Sequence, residues 1–142
     1  MAQYEGFHRE INYYETDRMG VVHHSNYIRY LEEARMDFFK AVDMNYAELE
    51  QMGIMIPVYS VSCKYVTPAK FGDTVVIYPR FEEFRGARFR VSYKIVDEKS
   101  GELRCTAESV HCFVDDRFGL MNLKAKAPDV YQMFINIIEN QK

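Results

Sequence analysis

Fifteen residues carry most of the chemistry that can be read from this chain: Tyr13-Tyr-Glu-Thr-Asp17-Arg-Met-Gly20-Val-Val-His23-His24-Ser-Asn26-Tyr27. They set one acid, Asp17, in a polar stretch just ahead of a helical pattern. The first turn of a helix offers backbone N–H groups with no intrahelical acceptor and a partial positive charge. A carbonyl held there can share its developing negative charge with those donors, and one such donor is worth about 10²–10³ in rate in other enzymes. An acid on the opposite side of the carbonyl can attack its carbon or deprotonate a water. The thiolate of a thioester leaves readily, so that pairing suits thioester hydrolysis. Gly20 lets the loop bend close to a ligand with no side chain in the way. From spacing alone, Asp17 is more often a solvated loop acid or a cap than a reacting group, and His23 and His24 more often exposed turn histidines than ligands. Glu33 is a second acid that reaches the site if the helix is buried. His8, His23, His24 and His111 show no HExxH-like spacing, so no metal is expected.

The elements that position these residues follow from periodicity. Phe7 to Tyr14 alternates loosely as a first strand, and Glu15 to Val22 reads as a loop. From Ser25 to Ala41, Tyr27, Leu31, Ala34 and Phe38 recur at helical spacing, with Ile28, Tyr30 and Phe39 widening the stripe. Ser25 or Asn26 caps its start. Glu32, Glu33, Arg35 and Asp37 fall on the solvated face. A short helix follows at Tyr46–Met52, capped by Asn45 and ended by Gly53. Strands are expected at Val58–Val66, Thr74–Phe84, Arg88–Asp97 and Glu102–Asp115. Pro79 marks a bulge or an edge. In the third of these, Phe89, Val91, Tyr93 and Ile95 share one face, opposite Arg90, Ser92 and Lys94. Pro128 opens a C-terminal helix whose apolar face is Val130, Met133, Phe134 and Ile137. The sum is α+β: an antiparallel sheet of about five strands with the long helix against it and the last helix outside or at an edge.

Composition narrows the function. The chain has 142 residues, enough for one compact domain over 1–142, and 48% are hydrophobic, enough for a packed core. A net charge of −3 argues against a nucleic-acid partner. No run of 18 apolar residues exists to span a membrane. Met1 to Glu10 lacks the apolar core of a signal segment. Cys63, Cys105 and Cys112 are odd in number and fit no CxxC pattern, so a reducing cytoplasm is the expected home. The aromatic content, 15%, suggests surface buried against a partner subunit.

The stretch Tyr13 to Arg35, read Y-x-E-T-D-x-M-G-V-V-x-H-x-N-Y-x-R-Y-x-E-E-A-R, resembles the signature of the 4-hydroxybenzoyl-CoA thioesterase family. It is most similar to the short bacterial acyl-CoA thioesterases, including the one encoded with the Tol-Pal system. Pro68-Ala-Lys-Phe-Gly-Asp73 resembles the family's P-A-x-x-G-D turn. The resemblance implies a hotdog fold, a curved antiparallel sheet wrapped round a central helix. It implies dimers sharing a continuous sheet, often paired into homotetramers, with acyl-CoA as substrate and no separate cofactor. It makes Asp17 the nucleophile or general base and the backbone N–H of His24 the group that polarises the carbonyl. Tyr13, His23, His24 and Asn26 are expected to line the site, with Arg85 and Arg88 meeting the phosphates of coenzyme A. Two other functions compete: a hotdog hydratase or dehydratase pairing Asp17 with His23 or His24, and a non-catalytic acyl-CoA-binding protein.

Overall fold

The computed structural model describes residues 4–141. Its sheet holds β1 (Phe7–Glu10), β2 (Val58–Tyr65), β3 (Thr74–Phe84), β4 (Arg88–Asp97) and β5 (Leu103–Cys112). The helices are α1 (Ser25–Ala41), α2 (Tyr46–Gln51), α3 (Leu123–Lys126) and α4 (Pro128–Asn140). The antiparallel sheet runs β1-β3-β4-β5-β2. Residues 1–3, part of the segment read for a signal core, lie outside the described residues. Among the described residues, no helix is long and apolar enough to cross a membrane.

Strand β1 is shorter than its alternation suggests. It pairs antiparallel with β3 from Phe7↔Ile77 to Glu10↔Thr74 and stops there. Tyr13–Glu15 instead forms a 3₁₀ turn, closed by Glu15 N–H to the Asn12 carbonyl at 3.0 Å. Two adjacent tyrosines satisfy a strand pattern and a turn pattern alike, and here the turn wins because it buries Glu15. The last strand also ends early, at Cys112, and the short helix α3 was not expected from the sequence.

Pro79 lies within an unbroken β3. The register explains how. Strand β1 covers β3 only as far as Ile77, so Pro79 sits where that flank is open and its missing N–H breaks no ladder bond. Phe81, two residues on and facing the same way, has its N–H and carbonyl met by the Gln141 side chain at 3.0 and 2.8 Å. That contact sets the end of α4 at the sheet edge.

Residue contacts gather the chain into two compact units that cut across the elements. The first runs to Phe38 and includes Ser62–Pro79 and Tyr93–Ala107. Within it α1 lies on the sheet through Tyr27, Tyr30, Leu31 and Ala34, all at most 4% exposed. Two expectations for α1 need correction. Ile28 does not widen the buried stripe; it is 45% exposed. Arg35 is not on the solvated face; it is buried and donates to the Tyr93 hydroxyl at 3.0 Å.

The second unit is Phe39–Val61, Arg80–Ser92 and the chain from Glu108 onward. Its centre is Phe134 of α4, with Phe39, Phe81, Phe84, Phe89 and Phe113 at 5.1–6.2 Å between ring centroids. Edge and offset ring packing of this kind adds to the burial of apolar area. Six of the ten phenylalanines are absorbed in this cluster. Tyr13, Tyr14, Tyr59 and Phe71 remain at least 60% exposed.

Candidate active site

The loop before α1 is a tight turn. The Gly20 N–H donates to the Asp17 carbonyl at 3.0 Å and the Asp17 N–H to the Val21 carbonyl at 2.8 Å. The arms are pinned by bridges Thr16↔Val22 and Val21↔Lys70. Gly20 closes the turn at φ +79, a conformation that suits glycine. Asp17 is half-buried, and its Oδ1 accepts the Met19 N–H at 2.8 Å, which fixes the carboxylate's direction.

The turn is anchored by residues that sequence reasoning did not single out. Glu15 is 3% exposed. Its carboxylate takes a two-pronged contact from Arg9, at 3.0 and 2.8 Å, and the Asn12 N–H at 2.8 Å. Arg9 also donates to Glu33 at 2.9 Å and lies over the Tyr30 ring. Glu33, the candidate second acid, is thereby held to Arg9. Burial opposes the charge of Arg9, but the hydrogen bonds it donates to Glu33 and Glu15 outweigh that and keep the guanidinium charged. The Glu15 carbonyl faces the helix: it accepts the His23 N–H at 2.9 Å and the Asn26 side-chain amide at 2.8 Å. Asn26 therefore does not cap α1; it ties the first turn of the helix to the loop. Ser25 is not the cap either, because its hydroxyl pairs with His23 Nδ1 at 2.8 Å.

One consequence concerns His24. The N–H groups of His23, Ser25, Asn26 and Tyr27 all find acceptors. Among the described residues nothing accepts the N–H of His24. Its carbonyl takes the Tyr27 N–H and the Tyr65 hydroxyl, each at 3.3 Å. The His24 ring stacks on His23 with centroids 4.2 Å apart, and both rings are exposed.

Beside His24 opens a pocket of about 220 Å³. Val21, Val22, Val66 and Pro68 form its aliphatic walls, and Tyr27, Tyr65 and Thr67 complete it. Of the expected site residues, His24 lines this pocket and Asp17 is joined to its Val21 wall through the turn. Tyr13 does not line this pocket; it is 76% exposed and packs against Phe71. Arg85 and Arg88 belong to the second unit, where Arg85 pairs with Glu83 at 3.1 Å and Arg88 lies over Tyr59. Among the described residues no cluster of His, Cys, Asp and Glu is arranged to hold a metal ion.

Behind the pocket Cys63 of β2 and Cys105 of β5 meet across neighbouring strands. The neighbouring Cys105 draws the Cys63 thiol down to about 7, against its partial burial and with help from Tyr65. The same contact and burial push Cys105 well above the ordinary thiol range. Lowering makes Cys63 a thiolate above pH 7, where an ordinary thiol with a value of about 8.5 is still protonated. Iodoacetamide labelling of the native protein, followed by peptide mass, is expected to modify Cys63 with a midpoint near pH 7 and to leave Cys105 intact. A midpoint near 8.5 would mean that the two thiols are not paired.

Comparison with known proteins places this geometry. Residues 11–135 match the family model of the thioesterase-like superfamily. YneP of Bacillus subtilis (strain 168), which bears a provisional acyl-CoA thioesterase name, is 32% identical over 121 residues, covering 84% of this chain and 87% of that protein. The acyl-CoA thioesterase YbgC of Helicobacter pylori is 33% identical over 75 residues, 53% of this chain and 54% of that one. The crystal structure of DHNA-CoA thioesterase from Staphylococcus aureus superposes with a TM-score of 0.87 at 29% identity, over 95% of this chain and 92% of that one. The chain belongs to the thioesterase-like superfamily, and it is a hotdog-fold thioester hydrolase.

Proposed function

We propose that the chain hydrolyses acyl-CoA thioesters to a free carboxylic acid and coenzyme A. The observation that carries this reading is the His24 N–H, left without an acceptor among the described residues at the start of α1 and beside a largely apolar pocket. A thioester oxygen accepting that N–H lies where the helix end favours negative charge, and the bond strengthens as the tetrahedral intermediate forms. Asp17 supplies the electron pair, to the carbonyl carbon directly or through a water it deprotonates. Collapse of the intermediate expels the thiolate of coenzyme A. Where water attacked, the acid is formed at once; where Asp17 attacked, the resulting anhydride is hydrolysed by a water to free the acid and restore the carboxylate. Both routes need the ionised carboxylate, and neither needs a cofactor.

Within the superfamily we assign the chain to the short acyl-CoA thioesterases of the 4-hydroxybenzoyl-CoA and Tol-Pal-associated kind, on the strength of the Tyr13–Arg35 motif. We expect a cytoplasmic homo-oligomer, a dimer or a tetramer. Two features are consistent with that: three free thiols, and the open outer edge of β2, exposed along nearly its whole length.

The test offers the purified protein butyryl-CoA and crotonyl-CoA, the first read by free thiol and the second by loss of the conjugated double bond. Equimolar thiol and butyrate, with the double bond intact, is the expected result. Hydration of crotonyl-CoA without thiol release would transfer the site to the hydratase class.

A further inference from the structure

The turn Pro68-Ala-Lys-Phe-Gly-Asp73 does more than join β2 to β3. The Asp73 N–H donates to the Lys70 carbonyl at 3.1 Å, and Asp73 Oδ2 accepts the Lys70 N–H at 2.9 Å, so the turn is closed by the backbone and by the carboxylate. Gly72 sits at φ +90, a conformation that a side chain would strain. Both ends of the segment that carries Asp17 hang on this one turn. At the near end the Ile11 N–H donates to the Asp73 carbonyl at 2.9 Å, and the Gly72 N–H donates to the Ile11 carbonyl at 3.4 Å. At the far end the Val22 N–H donates to the Ala69 carbonyl at 2.9 Å, and Val21 bridges Lys70. Val21 in turn accepts the Asp17 N–H, and His24 follows Val22 by two residues. Arg104 of β5, with its side chain 13% exposed, backs the turn. Its Nη2 lies 3.9 Å from Asp73 Oδ2, and its Nη1 donates to Thr67 Oγ1 at 3.1 Å.

We infer that Asp73 is a positioning residue for thioester hydrolysis: through the Lys70 N–H its carboxylate closes the turn that holds the Asp17 loop at both ends, and so sets how the Asp17 carboxylate faces the His24 N–H. This builds on the thioesterase reading above and adds a residue that does not line the pocket. Asp73 acts through the backbone of Lys70 and Ala69 on Val21 and Val22, and through them on the two reacting groups. A turn that only stabilised the fold would change the folded fraction and leave the kcat of folded protein as it was. A turn that sets the approach of two reacting groups changes kcat in fully folded protein, because a misplacement of about 1 Å costs about 10²-fold.

The deciding measurement takes the parent, Asp73→Asn and Asp73→Ala at a temperature where circular dichroism shows all three folded. Asparagine keeps an oxygen for the Lys70 N–H and loses the charge that faces Arg104; alanine loses both. With butyryl-CoA, kcat is expected to fall about 10- to 100-fold in the alanine variant and no more than about 3-fold in the asparagine variant, with KM moving far less than kcat. Amide exchange by NMR is expected to show the Asp17 and Val22 N–H groups losing protection in the alanine variant, while those of Leu31 and Ala34 inside α1 keep theirs. Parent kcat in folded Asp73→Ala overturns the inference and leaves the thioesterase reading standing. An asparagine variant as slow as the alanine variant overturns it too, because the bond to the Lys70 N–H survives that change. A parent protein that releases no thiol overturns the thioesterase reading, and the inference falls with it. Gly72→Ala supplies a second arm, which carries the test alone where Asp73→Ala does not fold. The added methyl meets open space, so the change strains only the backbone of the turn. It is expected to loosen the Val22 amide and to lower kcat with it; a loosened amide with parent kcat overturns the inference.

Discussion

Asp17→Asn is expected to remove most turnover while leaving the fold intact. The side chain that changes has two separable duties. One oxygen accepts the Met19 N–H at 2.8 Å and shapes the turn, and an asparagine carbonyl oxygen accepts that bond equally well. The backbone bonds of Asp17 to Val21 and Gly20 do not involve the side chain. What asparagine lacks is the negative charge needed to attack carbon or to take a proton from water. Loss of a positioned base typically costs about 10²–10⁴-fold. We therefore expect kcat/KM on butyryl-CoA to drop about 10³-fold, with a melting temperature within a few degrees of the parent. The His24 N–H survives the change, so some residual catalysis above water is expected from carbonyl polarisation alone. A variant that turned over like the parent would remove Asp17 from the mechanism and leave the helix end as the only catalytic device. A variant that failed to melt cooperatively would point to a structural role for the carboxylate.

How much of this was legible in the chain depends on whether a feature is local. The stripe Tyr27, Leu31, Ala34 and Phe38 and the alternation Phe89, Val91, Tyr93 and Ile95 are buried as their periods require, because one face of each element meets the core. Asn45 accepts the Glu48 N–H and Gly53 adopts φ +77, as capping chemistry dictates. The features that escaped depend on side-chain partners that periodicity does not register. Arg35 looks solvated on a helical wheel and is buried because Tyr93, 58 residues away, offers a hydroxyl. The Tyr13–Glu15 turn replaces strand because Arg9 holds Glu15 inside. The pocket wall at Tyr65, Val66 and Thr67 carries no motif; it exists only where the end of β2 meets the loop before α1. Periodicity and spacing find the elements, and packing decides what surrounds the loop between them.

The same reasoning makes Glu15 the residue whose loss should propagate furthest. Its side chain and its carbonyl face opposite ways, one to Arg9 and Asn12, the other to His23 and Asn26. Truncation by Glu15→Ala leaves the carbonyl in place but strips Arg9, whose side chain is 18% exposed, of its two-pronged partner. Removing one member of a buried ion pair costs about 3–5 kcal/mol. Glu33 still meets Arg9 at 2.9 Å, so the lower end of that range applies. For a chain of this size the melting temperature should fall by about 10 °C. Activity should fall further than the unfolded fraction explains, because a loosened Glu15 lets the His23 and Asn26 contacts drift and the His24 N–H loses its aim. The double substitution Arg9→Met with Glu15→Met separates the two effects. Apolar residues of similar length leave no buried charge unpaired, since the Glu33 carboxylate that loses Arg9 is 41% exposed to water, and such replacements are often neutral or stabilising. The melting temperature should return toward the parent value. If kcat returns with it, the ion pair acts on catalysis only through the rigidity of the turn. If stability returns and kcat does not, the Arg9–Glu15 contact itself sets the angle at which the helix presents its free N–H to the thioester. A Glu15→Ala protein with unchanged stability and turnover would refute the anchoring role altogether.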